Sequence, residues 1–180
     1  RAEYTPALPP APHNFPVEFR VQSFGRGTAS KAVSPATIDL TGNTISYRRP
    51  EFVETWDVRP DGCKQSFRFD RLPEGQGDLV VRMDLATELN PHVDGDDSMS
   101  LLLDGIGGVT IKDVVGFDAD GTRIQGSLQH TGSSLELRLP AAALATARLP
   151  LVLDPIVGTT RTVIASTFST FDPDVAYDEA

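Results

Sequence analysis

Cys63 is the one cysteine among 180 residues, so no disulfide can form within the chain. In a secreted protein a single cysteine is either buried or a reactive thiol. Cys63 lies in an alternating pattern, which predicts burial as a small hydrophobe. Histidine is also scarce: His13, His92 and His130 are scattered, and no HExxH pair accompanies them. A zinc site therefore lacks its ligand set. The chain contains no GxSxG elbow, no phosphate-binding loop with its lysine, and no dinucleotide fingerprint within a βαβ unit. No run of 18 apolar residues exists, so membrane insertion by a helix is not expected. Positive charge is the minority sign, with 16 Lys and Arg against 25 Asp and Glu and a net charge of −9. That balance repels nucleic acid and anionic lipid.

Turn formers and alternation are abundant. The 15 Gly and 14 Pro fall mostly at punctuation points, which predicts many short elements. Phe15, Val17, Phe19 and Val21 alternate with polar residues, and so do Leu79, Val81, Met83 and Leu85, and Leu135, Leu137 and Leu139. This period of two marks strands with one buried face. Phe52, Trp56 and Val58 are assigned to one inward face, and Cys63, Gln65, Phe67 and Phe69 to another. Thr41-Gly42-Asn43, Pro60-Asp61-Gly62 and 118–121 (DADG) read as hairpin turns. The stretch 23–35 reads as loop. Gly107-Gly108 reads as a break between short strands. Pro140 followed by alanines predicts a short helix near 140–147. About eleven short strands at intervals of about 8–14 residues predict an all-β fold, an antiparallel β-sandwich of jelly-roll-like form. The expected organisation is a Pro-rich extended arm over 1–14, one sandwich domain over 15–170, and an acidic tail, or the start of a following repeat domain, over 171–180. The start at Arg1 in a Pro-rich run leads to the expectation of a leader already removed.

Several stretches taken in order are similar to a module of large secreted bacterial proteins. TWDVRPDGCKQSFRF followed by PEGQGDLVVRMDL resembles its Gly-Gln-Phe hairpin and the Gly-Asp-Leu-Val strand after it. Asp61, Gly62, Gln65 and Phe67 match, whereas Cys63, Lys64 and Ser66 depart from the pattern. VVGFDADGTRIQGSL resembles a later hairpin, ARLPLVLDPIVG the closing strand, and FDPDVAYDEA the opening of a propeller-type repeat. The resemblance covers about residues 45–180. It implies a non-catalytic, secreted or cell-surface module of structural or adhesive role that precedes a β-rich repeat array. It supplies no catalytic residues. The implied partners are the adjacent domain of the same polypeptide or neighbouring chains, reached through edge strands such as TVIASTFSTF.

Two acidic loops are the candidate metal sites. Asp94, Asp96 and Asp97 crowd into NPHVDGDDSMS, and Asp118 and Asp120 flank a second turn. Calcium takes such oxygen ligands. The EF-hand template fails, because Met99 stands where glycine is required and Gly105 where the last acid is required. Solvated turns are the competing reading of both loops. A calcium ion could bind if the two loops met at one end of the sandwich; no other cofactor is indicated. Tyr47 and Trp56 are the candidate rings for stacking a glycan. Tyr47 is expected to face outward beside Arg48 and Arg49, whereas Trp56 shares an apolar face and suits the core. A carbohydrate-binding module, with calcium held by Asp94, Asp96 and Asp97 as an aid, and a jelly-roll glycosidase or lyase stand as alternative functions.

Overall fold

The computed structural model describes residues 1–8, 11–59 and 62–161. Within them the chain forms two antiparallel sheets packed face to face, an all-β sandwich with one short helix. The six-stranded sheet runs in the order β1 (Ala2–Tyr4), β2 (Val17–Arg26), β8 (Leu79–Ala86), β14 (Ser134–Leu139) and β13 (Ser127–Thr131), with β3 (Lys31–Ala32) also on β2. The nine-stranded sheet runs β4 (Thr37–Thr41), β5 (Thr44–Arg48), β6 (Val53–Arg59), β7 (Gly62–Phe69), β15 (Leu151–Arg161), β11 (Gly107–Phe117), β10 (Met99–Leu103) and β9 (Asn90–Val93). A short β12 (Arg123–Gln125) pairs with β11 at its Phe117 end. The helix α1 is a single turn, Ala141–Leu144, after Pro140.

Side-chain alternation decides which face each strand buries. Phe15, Val17, Phe19 and Val21 point inward from one sheet, as do Leu79, Val81, Met83 and Leu85 and the three leucines of β14. Cys63, Gln65, Phe67 and Phe69 answer them from the other sheet. Aromatic rings join the layers: Phe19 meets Trp56 at 5.2 Å between centroids, and Phe24 meets Phe52 edge-on at 5.4 Å. Gly42 at φ 59° lets β4 and β5 close through a two-residue turn, which a side chain at that φ disfavours.

The closing strand β15 lies in the middle of its sheet, between β7 and β11. Its Pro155 cannot donate a backbone hydrogen bond there. Opposite this proline, β11 carries an irregularity between Lys112 and Val115, with Asp113 at φ 55°. A bulge is the setting in which a central strand tolerates proline. Asp154 is buried beside it and takes an ion pair from Lys64 at 2.6 Å.

Several expectations need correction. Among the described residues there are fifteen strands rather than about eleven, because strands of two to five residues carry too little alternation to be read. The N-terminal arm is not free: Ala2–Tyr4 pairs with β2, Leu8 is buried, and the Ala11 amide turns back to the Leu8 carbonyl at 2.8 Å. β2 continues to Arg26, and Lys31–Ala32 pairs with it, so 23–35 is not all loop. Gly107 and Gly108 lie inside β11 rather than between strands. A Cβ on Gly108 would stand 1.8 Å from the Leu101 carbonyl oxygen, so glycine permits the close pairing with β10. Val58 is exposed at the end of β6, beyond the cover of the opposite sheet. Pro60, Asp61, the expected edge strand TVIASTFSTF and the 171–180 tail lie outside the described residues, although Arg59 pairs with Gly62 across the hairpin. Cys63 is buried, and burial, with the Asp57 charge in support, raises its thiol above the ordinary value.

Leu137 is fully buried between the sheets. Leu137→Ala should lower stability by about 2–5 kcal/mol through lost burial and a residual cavity. Urea unfolding measures this; a loss under about 0.5 kcal/mol, the range of exposed sites, would contradict the assigned core.

Candidate functional site

Asp94 and Asp97 bond neighbouring side chains, whereas Asp118 bonds backbone amides. Residues 94–98 form the turn between β9 and β10, and the Asp94 amide donates to the Ser98 carbonyl at 3.1 Å. The Asp94 carboxylate accepts Ser100 Oγ at 2.6 Å, and that of Asp97 accepts Gln125 Nε2 at 3.0 Å. The Asp96 carbonyl accepts the Leu128 amide at 2.6 Å, which ties this turn to the other sheet. The expected loop is therefore half strand, since Asn90–Val93 is the edge strand β9.

In the second loop Asp118 Oδ1 accepts the amides of Asp120 and Thr122 at 3.0 and 2.8 Å. Its Oδ2 accepts the Arg148 amide at 3.3 Å, and the Arg148 guanidinium reaches Asp120. The Thr122 amide, joined by those of Arg148 and Asp120, holds the Asp118 carboxyl below its ordinary range. The Thr122 hydroxyl adds to these donors, and no three His, Cys, Asp or Glu side chains among the described residues converge as metal ligands.

The aromatic candidates are also internal. Tyr47 is buried, contrary to the outward placement expected for it. Its hydroxyl donates to the Arg1 carbonyl at 2.8 Å, so the first strand roofs it. Burial, reinforced by the Glu54 charge and opposed by Arg49, raises its pKa. Trp56 is buried as its apolar face implies, with its indole N–H on Glu54 Oε1 at 2.8 Å. Neither ring presents a face for stacking a glycan.

The sequence reading missed Glu54, the charged residue between Phe52 and Trp56 on their inward face. Glu54 is buried and collects three donors: Trp56, Gln65 Nε2 at 3.2 Å, and Arg49 Nη1 at 3.1 Å. Arg49 lies over the rings of Tyr47 and Phe52 at 5.8 and 5.4 Å. Strict parity in FVETWDVR was the available signal: an acid in phase with Phe and Trp must be paired once buried.

The same parity identifies the most unusual surface. In antiparallel pairing, directly opposed residues share a face. Ile38 opposes Tyr47, and Leu40 opposes Ile45, which opposes Trp56. Ile38 and Leu40 therefore continue the core face of the nine-stranded sheet. They are nevertheless 64% and 70% exposed, because the six-stranded sheet ends with β1 over Tyr47 and β4 projects past it. The outer edge of β4 pairs with no described strand, and all five of its residues are exposed. The opposite edge, β9, carries Pro91 and so lacks one donor.

No family model matches the chain, and no curated protein and no solved structure matches it.

Removing Glu54 while leaving Arg49 buried should be severe. Glu54→Ala is expected to cost about 3–5 kcal/mol in urea unfolding, as for a broken buried pair. At Asp118 the stabilisation belongs to the ionised form, since its native pKa is lowered. It is present above the ordinary carboxylate pKa and is lost as pH falls through the lowered native value. The melting midpoint of wild type should therefore exceed that of Asp118→Ala at neutral pH by an amount independent of added calcium or chelator. The gap should close in acid. A calcium-dependent gap would show that an ion sits on this loop.

Proposed function

We propose that this chain is a non-catalytic structural or adhesive module of a secreted or surface-attached bacterial protein, joined to its neighbour through the free edge of β4. The observation that carries this reading is the overhang. A sheet edge with unpaired backbone groups, flanked by apolar Ile38 and Leu40 on one face, suits an added strand. Backbone hydrogen bonds would supply affinity, and the two apolar side chains would fix which face of the incoming strand turns inward. The partner is the adjacent domain of the same polypeptide or a neighbouring chain.

Other features support a passive role. The acids of both turns, Arg148, and the Arg49–Glu54 pair serve as structural ties. The core between the sheets is filled by aliphatic and aromatic side chains. Among the described residues no helix is long and apolar enough to cross a membrane. The secreted setting rests on the motif resemblance.

Amide hydrogen exchange tests the edge. The amides of residues 37–41 on the open side of β4 should exchange fast in dilute isolated chain. They should become protected, by about tenfold or more, in concentrated chain or in a longer natural polypeptide that contains it. Ile38→Lys together with Leu40→Lys should abolish this protection and leave the melting midpoint within the small range of exposed substitutions. Unchanged exchange in both preparations would refute edge joining.

A further inference from the structure

Three connections meet at one end of the sandwich: the β2–β3 hairpin, the β5–β6 turn, and the segment that follows β7. They enclose a cleft of about 580 Å³. Small-molecule sites span about 300–1,000 Å³. The cleft is lined by both sheets, so its walls are set by the same packing that forms the core.

Its chemistry is unusual in two respects. First, two side chains in its wall are nine-tenths buried yet incompletely paired. Arg49 and Glu51 have side-chain exposures of 8% and 10%. Glu51 Oε1 accepts Ser34 Oγ at 2.6 Å and faces Lys31 Nζ at 3.7 Å, but Oε2 has no partner. Arg49 gives Nη1 to Glu54, but its Nε has no partner. Arg82, Arg138 and Asp154 also carry a buried atom without a partner, and the Ser34 and Glu51 amides support the Glu51 carboxyl. The atoms of Arg49 and Glu51 differ in lining a cleft, where a polar ligand can supply what buried groups otherwise find within the fold. The Ser34 hydroxyl is the main cause that holds the Glu51 carboxyl below its ordinary value, so it is ionised and acts purely as an acceptor.

Second, the lining charges balance. Lys31, Arg49 and Arg71 face Glu51, Asp70 and Glu74. A net anion or cation would meet as much repulsion as attraction. A neutral molecule with many hydroxyls could instead donate to the carboxylates and accept from the cations, because each hydroxyl does both. Phe24 and Phe52 close the bottom of the cleft and are 4% and 3% exposed. Recognition would therefore rest on charged hydrogen bonds and not on ring stacking.

We propose that this cleft is a binding site for a short neutral saccharide, gripped by Glu51 and Arg49 in the wall and by Arg71 at the rim. Arg71 is exposed and makes no ion pair or hydrogen bond among the described residues, so it is free to engage a ligand. The proposal is independent of edge joining at β4, and either can fail alone.

An amide NMR titration tests it. The neutral probes are maltose, cellobiose, lactose and N,N′-diacetylchitobiose; glucuronate and protonated glucosamine are the charged controls. At least one neutral disaccharide should shift the amides of residues 24–31, 49–53 and 70–74, with the rest of the spectrum still. Glu51→Gln and Arg71→Ala should each weaken that binding by about tenfold or more, the loss typical of a charged hydrogen-bond partner. Arg71 is exposed, so its variant keeps the fold even where Glu51→Gln does not. The proposal is overturned if these amides respond to no neutral probe, if only a charged sugar shifts them, or if Arg71→Ala binds as wild type does.

Discussion

The nine-stranded sheet depends on one strand that arrives last in the described chain. β15 pairs with β7 on one side and β11 on the other, and so joins the β4–β7 meander to the β9–β12 group. Without it, one wall of the core would be two separate ribbons. This position explains the local chemistry of LPLVLDPIVG. Leu151, Leu153 and Val157 alternate into the core, while Pro155 interrupts the ladder where β11 bulges. Asp154 is buried at the interruption and needs Lys64 of β7 as its counter-charge.

The buried polar side chains of this sandwich, Glu54, Gln65 and Asp154 among the described residues, are held by other side chains. Glu54 gathers Arg49, Trp56 and Gln65 and thereby anchors the β5–β6 turn that walls the end cleft. On the outer face of the smaller sheet Glu136, in alternation with the buried leucines of β14, is held by Arg82 and Arg138: partial burial alone would raise its pKa, but these two partners lower it. Buried ion pairs contribute little net stability, but removing one partner is costly. They act as constraints on register and loop position more than as a source of binding between the sheets, which the aromatic and aliphatic layer supplies.

The inward sets on β2, β7, β8 and β14 were legible because a period of two survives over long strands with one buried face. The hairpins at Gly42 and at 118–121 were legible because turn chemistry is local. The short edge strands were not, since β1, β3, β9 and β12 hold two to four residues each. Tyr47 was misplaced because its neighbours in sequence, Arg48 and Arg49, suggested solvent. In the fold, Arg49 turns inward to Glu54 and β1 covers the ring. The acidic loops were found by composition, but whether their carboxylates converge is a matter of strand register across the sheets.

The sequence alone determined the all-β class, the faces of the long strands, the burial of Cys63 and the turn-forming role of the acidic stretches. Each depends on residues a few positions apart. The tertiary structure alone decided that β4 overhangs the smaller sheet, that Glu54 is a buried anion, and that Arg49, Glu51 and Arg71 share one cleft with Lys31 and Glu74. These depend on which strands lie opposite one another. Alternation gives a residue's side of the sheet, but only the extent of the facing sheet determines whether that side is core or surface.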